Sequence, residues 1–275
     1  AKLLIKLAMD SGADAVKFQH HDVRKYVSDK GFKDLGGKFS HQEKWNKSIF
    51  EVYKDAEVPT TWTESLKQYC DDLGVTFFST PYDLDIVDHL QPYVPAYKIG
   101  SGDVAWHAML AKVAQSGKPV LFATGAATIG EVQEAMEVIK KYTSNVVLMQ
   151  CNTNYTGSLE NFKYIHLNVI KTYQMMFPDT VIGLSDHTPG HVTALGSIAL
   201  GGRIIEKHFT DDTSREGPDH PFSMDPKTWR AMVDDARIME ASMGVYTKDV
   251  QENEKETVVL QRRAIRVIQD LKKGE

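Results

Sequence analysis

The chain has 275 residues, enough for one large α/β barrel or two smaller domains. A net charge of -5 gives no general attraction for nucleic acid or an anionic membrane, so an anionic ligand must be held by local positive charge. Only two cysteines occur, which excludes a disulfide framework and a thiolate zinc site, and no apolar run is long enough to span a bilayer. These features predict a cytoplasmic protein that binds neither nucleic acid nor membrane.

Apolar strands alternate with helices along the chain. A helix over residues 1–12 comes first, and Gly12 ends it. The pattern then predicts seven strands: Ala15–Gln19, Val75–Thr80, Ala96–Ser101, Pro119–Gly125, Asn145–Cys151, Val181–Ser185 and Arg203–Phe209. The predicted helices between and after them are Gln42–Tyr53, Trp62–Leu73, Asp83–Leu90, Val104–Gln115, a helix ending at Lys141, Asn161–Phe177 and Asp225–Gly244. Capping boxes at Thr61-x-x-Glu64 and Thr128-x-x-Glu131 indicate where two of them begin.

This alternation favours a (β/α)8 TIM barrel. Strands that alternate with helices imply a parallel sheet with right-handed crossovers, and no glycine-rich nucleotide motif occurs. Because a helix precedes the first strand, we expect the first of eight barrel strands to be missing from this chain. The barrel is predicted to span residues 1–247, with 248–275 as a linker. A doubly wound sheet is the alternative.

Two histidines stand at the ends of consecutive predicted strands, where a barrel carries its chemistry. His187 follows one strand and His208 ends the next. Adjacent parallel strands lie about 5 Å apart, so both side chains could bind one divalent ion. The alternative is two core or loop histidines, each satisfied by hydrogen bonds.

Lys17 and Lys98 are unusual because each lies on a short apolar strand. Each could reach the rim or pair with a carboxylate such as Glu206. Together they could instead form a phosphate or carboxylate site with the amides near Gly125 and with the hydroxyls of Thr80, Ser101 and Ser185. A metal beside such an anion site suits Lewis-acid chemistry on a carbonyl.

Other candidates are weaker. Tyr155 could line a pocket or pack a loop, and Asp219 could reach the barrel mouth or serve a turn. Cys151 is predicted to be an inert buried thiol. Five histidines are predicted to be exposed: His20, His21, His41, His107 and His166.

Seven short motifs, in order and at fitting spacings, resemble the sialic acid (N-acylneuraminate) synthase family. They are KFQ at Lys17, FFSTP at Phe77, AYKIGSGD at Ala96, ATG at Ala123, GLSDHT at Gly183, EKHFT at Glu206 and GPDH at Gly217. Members of that family condense phosphoenolpyruvate with an N-acylated mannosamine-type sugar and release phosphate. The resemblance therefore implies a synthase of nine-carbon sugar acids.

The resemblance also implies residue roles. His187 and His208 would bind a divalent ion, manganese first, with magnesium or cobalt as alternatives. The phosphoenolpyruvate site would comprise Lys17, Thr80, Lys98, Ser101, Thr153 and Ser185. Tyr155 and Asp219 would contact the amino sugar, and Lys98 and Asp219 would take part in catalysis. Asn152 or Asn154 could replace Thr153, because the family's usual Cys-Thr-Ser run is altered here.

Several matters stay open. The first-strand glutamate of the family has no counterpart in this sequence. Residues 248–275 resemble the segment that leads to an antifreeze-like domain in a swapped homodimer. The sequence does not identify the sugar. A sugar-phosphate-using synthase and a non-catalytic barrel that binds metal and anions are the alternative functions.

Overall fold

The computed structural model describes residues 1–34, 47–215, 217 and 219–274. These residues form one sheet of seven parallel strands in the order β1 to β7. The strands are β1 Ala15–His20, β2 Thr76–Pro81, β3 Tyr97–Ile99, β4 Val120–Ala123, β5 Val146–Cys151, β6 Val181–Asp186 and β7 Ile204–Lys207. All seven predicted strands are confirmed, with small differences at their ends.

Helices join the strands. In chain order they are α1 Lys2–Asp10, α2 Val23–Tyr26, α3 Asp29–Asp34, α4 Ile49–Asp55, α5 Thr63–Leu73, α6 Leu84–Leu90, α7 His107–Gln115, α8 Ile129–Lys140, α9 Val169–Met176, α10 Val192–Ala199, α11 Pro226–Met243 and α12 Lys255–Gln261. The predicted helix over Gln42–Tyr53 corresponds only in part to α4, and residues 42–46 lie outside the described residues. The predicted helices from Val104 and Asn161 each begin later as an α-helix, after a 3-10 turn.

One of the two predicted capping boxes is wrong. Thr128 caps α8 as expected, with Glu131 completing the box. Thr61 does not cap α5, because it lies inside a 3-10 turn over Thr60–Trp62. Pro59 starts that turn: its carbonyl accepts a bond from the Trp62 amide at 2.9 Å. The helix therefore begins after the turn, at Thr63.

The strand order excludes the doubly wound alternative. In a doubly wound sheet the order reverses at a switch point, whereas here each strand neighbours the next in sequence. The sheet also curls strongly. Lys98 of β3 and Glu206 of β7 approach to 3.6 Å although three strands lie between them. The result is a curled α/β half-barrel.

The two faces of the curled sheet carry different cores. The larger core lies between the outer face and the helices, where Phe122 and Leu148 pack against helix residues such as Met136. A smaller cluster on the inner face includes Ala123 and Met149. Side chains alternate along each strand, so neighbours in sequence belong to opposite faces.

The half-barrel has an open seam. No described strand pairs with the outer edge of β1 or of β7, although Phe209, two residues after β7, forms an isolated bridge with Met224. Both strands line a cavity of about 780 Å³, together with α1, α10 and α11. Its lining is largely apolar and includes Leu4, Phe18 and Trp229.

By its contacts the chain divides into two units, Ala1–Ser242 and Met243–Glu275. The second unit holds a 3-10 turn over Glu252–Glu254 followed by α12. Among the described residues, no helix has both the length and the hydrophobicity needed to cross a membrane.

Candidate active site

A histidine pair lies at the C-terminal edge of β6 and β7. His187 directly follows β6, His208 directly follows β7, and their ring centroids are 5.3 Å apart. His187 is buried, and the His208 side chain is 23% exposed. The rings can therefore be reached from the inside of the curled sheet while most water is excluded.

The same nitrogen of each ring is already engaged. Nδ1 of His187 lies 3.0 Å from the backbone oxygen of Asn152, and Nδ1 of His208 lies 3.3 Å from a carboxylate oxygen of Asp219. These contacts fix the ring orientations and favour the tautomer with a lone pair on Nε2. Metal-binding histidines in proteins are oriented by contacts of this kind.

These residues fit a divalent ion as part of its ligand set. Two imidazoles whose Nδ1 atoms are already engaged can each offer Nε2 as a ligand, and the buried Oε2 of Glu206 has no hydrogen-bond partner among the described residues. No group of three or more His, Cys, Asp or Glu side chains with metal-binding geometry occurs in the described part of the chain. An ion here would complete its coordination with substrate or water, as at an open catalytic site.

The two predicted lysines meet a shared carboxylate. Lys98 is 3% exposed, and its Nζ lies 3.6 Å from Oε2 of Glu206. Lys17 of β1 faces the same charges. Burial lowers the pKa of Lys17, whereas the charge of Glu206 opposes that effect. Burial also raises the pKa of Glu206, but Lys98, Lys17 and the two histidines outweigh it and hold that pKa at about 2. The cluster carries one more positive than negative charge, which suits an anion.

Hydroxyl groups surround this cluster. Ser185 Oγ lies 3.4 Å from Glu206 Oε1, and Ser101 Oγ accepts a 2.9 Å bond from the Gly125 amide. A Cβ on Gly125 would lie only 1.8 Å from Thr153 Oγ1, so only glycine allows the three segments to approach this closely. Thr80 is buried at the same end of the sheet, at the end of β2.

Cys151 is buried, as predicted, but it is not remote from the site. Its Sγ lies 3.9 Å from Nδ1 of His187. Burial raises the pKa of this thiol, yet the contacts with His187 and Ser101 outweigh burial and place the pKa below its ordinary value. The sequence alone did not indicate this contact.

Tyr155 and Asp219 both reach the histidine pair. The Tyr155 ring lies 4.5 Å from the His187 ring, and burial raises the pKa of its phenol. The Asp219 side chain is 44% exposed and touches His208. Asp219 is thus at the open side of the histidine pair, and Tyr155 packs against the pair from a more buried position.

An aromatic cluster that the sequence did not predict borders this opening. Tyr26 packs against Tyr82 at 4.8 Å and Tyr53 at 5.5 Å, and Gln19 donates a 3.0 Å bond to the Tyr82 hydroxyl. The three tyrosines lie on different elements, in α2, in α4 and directly after β2, so no spacing signal in the sequence would have revealed the cluster. Nearby, burial raises the pKa of Asp103 to about 6 against the opposing charge of Lys98.

The predicted exposure of His20 is wrong, and His21 is also buried. His20 points to the outer face of β1 and bonds Ser79 at 2.7 Å and Thr63 at 3.0 Å. Burial lowers its pKa to about 4. His107 and His166 are exposed as predicted, and His41 lies outside the described residues.

Comparison with known proteins finds that the chain is similar to sugar-acid synthases. The NeuB family matches residues 4–248. Over 276 residues the chain is 37% identical to the uncharacterized protein MJ1065 of Methanocaldococcus jannaschii, covering 100% of this chain and 76% of that protein. It is 32% identical over 282 residues to N,N'-diacetyllegionaminic acid synthase of Campylobacter jejuni, covering 100% and 82%.

A solved structure shares the fold. The crystal structure of N-acetylneuraminic acid (sialic acid) synthetase from Leptospira borgpetersenii, in complex with citrate, matches with a TM-score of 0.80 and 27% identity. The match covers 94% of this chain and 85% of that protein.

Proposed function

Because the chain belongs to the NeuB family, we propose that it is an enzyme that condenses phosphoenolpyruvate with an N-acylated mannosamine-type sugar. The products are a nine-carbon sugar acid and phosphate. The observation that carries this proposal is the pair His187 and His208, with both Nδ1 atoms engaged, beside the cluster of Lys17, Lys98 and Glu206.

The lysine cluster is the proposed phosphoenolpyruvate site. Lys17 and Lys98 supply the positive charge for its phosphate and carboxylate, and Ser101, Ser185 and Thr80 supply hydroxyl donors. Thr153 lies beside Ser101 and Gly125 and would complete this side. In the absence of substrate, Glu206 supplies the negative charge beside Lys98, 3.6 Å from its Nζ.

The histidine pair is the proposed site of a divalent ion. Manganese is our first choice, with magnesium or cobalt as alternatives. When bound, the ion would polarise the aldehyde of the open-chain sugar. Asn152 and Asp219 contact Nδ1 of the two rings, so Nε2 of each ring is the nitrogen proposed to bind the ion.

The chemistry then follows from the two substrates. C3 of phosphoenolpyruvate attacks the aldehyde carbon, and a carbon–carbon bond forms while C2 becomes electron-poor. Water adds to C2, and one of its protons goes to the former aldehyde oxygen. The C2–O bond to phosphate then breaks, and the remaining water proton leaves with the phosphate. Lys98 stabilises the phosphate charge throughout, because it is fixed in a buried position.

The amino sugar is proposed to enter beside Tyr155 and Asp219. Asp219 can accept bonds from sugar hydroxyls and assist proton transfer, because its carboxylate is partly exposed. The names of the similar proteins refer to different products, diacetyllegionaminic acid and N-acetylneuraminic acid. We therefore propose N-acetylmannosamine or a 2,4-diacetamido relative as the acceptor.

We further propose that an eighth parallel strand closes the seam between β1 and β7 into a (β/α)8 barrel. The open strand edges and the apolar cavity between them support this. Hydrogen exchange should find the outer-edge amides of β1 and β7 as protected as those of β4. Fast exchange at these edges would argue for an open sheet.

A cytoplasmic homodimer is proposed from the family resemblance, and the two free cysteines suit a reducing compartment. Light scattering should give twice the mass of one chain. A monomer in solution would refute the dimer.

Phosphate release from phosphoenolpyruvate tests the function. The assay would include N-acetylmannosamine or 2,4-diacetamido sugars, each with Mn²⁺ and with a chelator. Release that requires both a sugar and the metal is expected, and the best sugar identifies the product. No release with any of these sugars, despite bound phosphoenolpyruvate, would refute the synthase and favour a non-catalytic barrel.

A further inference from the structure

A buried ion pair lies directly behind the histidine pair, on the outer face of the same two strands. Asp186 of β6 and Lys207 of β7 are register partners, and their side chains are 0% and 1% exposed. The Lys207 ammonium bonds a carboxylate oxygen of Asp186. Each member immediately precedes one histidine: Asp186 precedes His187, and Lys207 precedes His208.

Every polar atom of this pair is used. Lys207 Nζ also donates a 2.7 Å bond to the backbone oxygen of Thr188. Asp186 accepts bonds from the Thr188 amide at 3.2 Å, from the Thr188 hydroxyl at 2.9 Å and from the Thr193 hydroxyl at 2.6 Å. The network thus joins the two strands to the loop after His187 and to the first turn of α10.

A contribution to stability does not by itself explain why a buried ion pair occupies this position. Replacing a buried ion pair with apolar side chains of similar size is often neutral or stabilising. An apolar pair could not fix the orientation of the adjacent backbone, because dispersion contacts have no preferred direction. The bonds to Asp186 and Lys207 hold the backbone on both sides of His187 and immediately before His208.

We propose that Asp186 and Lys207, with Thr188 and Thr193, are positioning residues that set the separation and direction of His187 and His208 for one divalent ion. This inference rests on the proposed metal site. The ion pair does not touch the ion or the substrates. It acts through the backbone, because each partner is one peptide away from a histidine.

The test measures Mn²⁺ binding by the loss of the free-ion EPR signal, in wild type and in the double variant Asp186→Leu/Lys207→Met. Removing both charges leaves no orphaned ion. We expect a cooperative thermal transition and a Kd for Mn²⁺ that is about 10- to 100-fold higher, as for other groups that orient metal ligands. The Mn²⁺ concentration for half-maximal turnover should rise in parallel, while KM for phosphoenolpyruvate at saturating Mn²⁺ changes little.

A milder pair of variants covers the case in which the double variant does not fold. Thr193→Val removes one bond to Asp186, and a hydrogen bond of about 1 kcal/mol corresponds to an approximately fivefold rise in Kd. Thr193→Ser keeps the hydroxyl and should bind Mn²⁺ like wild type. Thr63→Val is the control for lost stability, because it disrupts the buried network of His20 and His89 near β1 and should leave the Mn²⁺ affinity unchanged.

The outcomes separate this inference from the proposed function. Wild-type affinity in a folded double variant, or in Thr193→Val, would overturn the positioning role while the metal site stands. A wild-type protein that binds no Mn²⁺ would overturn the metal site and the positioning role together.

Discussion

The polar side chains on the two faces of β6 and β7 differ in how completely they are hydrogen-bonded. On the outer face, Asp186 and Lys207 use every hydrogen-bonding atom within the protein. On the inner face, Oε2 of Glu206 has no hydrogen bond from any described residue, and Oε1 has only a 3.4 Å contact with Ser185 Oγ. Buried polar groups are normally satisfied, so the incomplete face is the one that we propose binds a ligand. On this proposal, residues adjacent in sequence stabilise the fold on one face and bind substrate on the other.

The largest effect is expected at the proposed metal site on the inner face. His187→Ala with His208→Ala removes both proposed imidazole ligands. Phosphate release at saturating substrates should fall by roughly 1000-fold, because several kcal/mol of charge stabilisation is lost. Assays at 1 mM or higher Mn²⁺ would show no rescue. The control is His107→Ala, on the exposed start of α7, with wild-type turnover expected. A double variant as active as wild type would remove the histidines from the site.

A smaller effect should follow at the anion end. Lys98→Met removes one charge-assisted contact worth about 1.5–3 kcal/mol, so the Kd for phosphoenolpyruvate should rise roughly 10- to 100-fold. Calorimetry of phosphoenolpyruvate binding measures this. The free energy of unfolding should also fall, because Glu206 loses a partner.

Adding Glu206→Gln to Lys98→Met separates these two effects. Stability should recover, since the unpaired carboxylate is gone, while phosphoenolpyruvate binding should stay weak. The exposed pair of Lys112 and Asp88 supplies the control: Lys112→Met should change neither quantity. Full recovery of binding in the double variant would mean that Lys98 only neutralises Glu206.

The stability of the protein should depend on pH through His20, which lies on the outer face of β1. The pKa of His20 is about 4 in the folded protein, below its ordinary value near 6.5. The unfolded chain therefore binds the proton first as the pH falls. The contribution of His20 to the free energy of unfolding is therefore largest above about pH 6.5, and it should drop by about 3 kcal/mol as the pH falls to 4. Denaturant titrations across this range should show a flatter profile for His20→Gln. Equal profiles for the two proteins would contradict the assignment.

The smallest effects on the free energy of unfolding are expected at the two Thr-x-x-Glu patterns, one of which caps a helix and one of which does not. Thr128→Ala removes the N-cap of α8 and should lower the free energy of unfolding by about 1 kcal/mol. Thr61→Ala should change it by less than about 0.5 kcal/mol, because Thr61 caps no helix. Urea unfolding distinguishes the two. Equal losses would mean that Thr61 does cap a helix in solution.

Strand number and order followed from the sequence because the alternation of strand and helix leaves few arrangements. The position of the histidine pair also followed, since parallel strands end at one edge of a sheet. The sequence did not predict which side chains of each strand point to the inner face and which to the outer face. Strands of a parallel sheet are apolar on both sides, so hydrophobic pattern cannot tell inner from outer. Lys98 and Lys207 look alike in sequence, yet Lys98 pairs with Glu206 on the inner face and Lys207 pairs with Asp186 on the outer face.

The same ambiguity explains the error at His20. A histidine at the end of β1 could point to either face or into solvent, and only the packing of β2 and α5 decides. The aromatic cluster of Tyr26, Tyr53 and Tyr82 is a further case. It brings together two helices and the residue after β2, which no local spacing connects.

A crystal structure with Mn²⁺ and phosphoenolpyruvate tests the central claim most directly. The account predicts an anomalous manganese peak between the Nε2 atoms of His187 and His208, with the phosphate of phosphoenolpyruvate on Lys17 and Lys98. Manganese bound elsewhere, or phosphoenolpyruvate held away from these lysines, would contradict it.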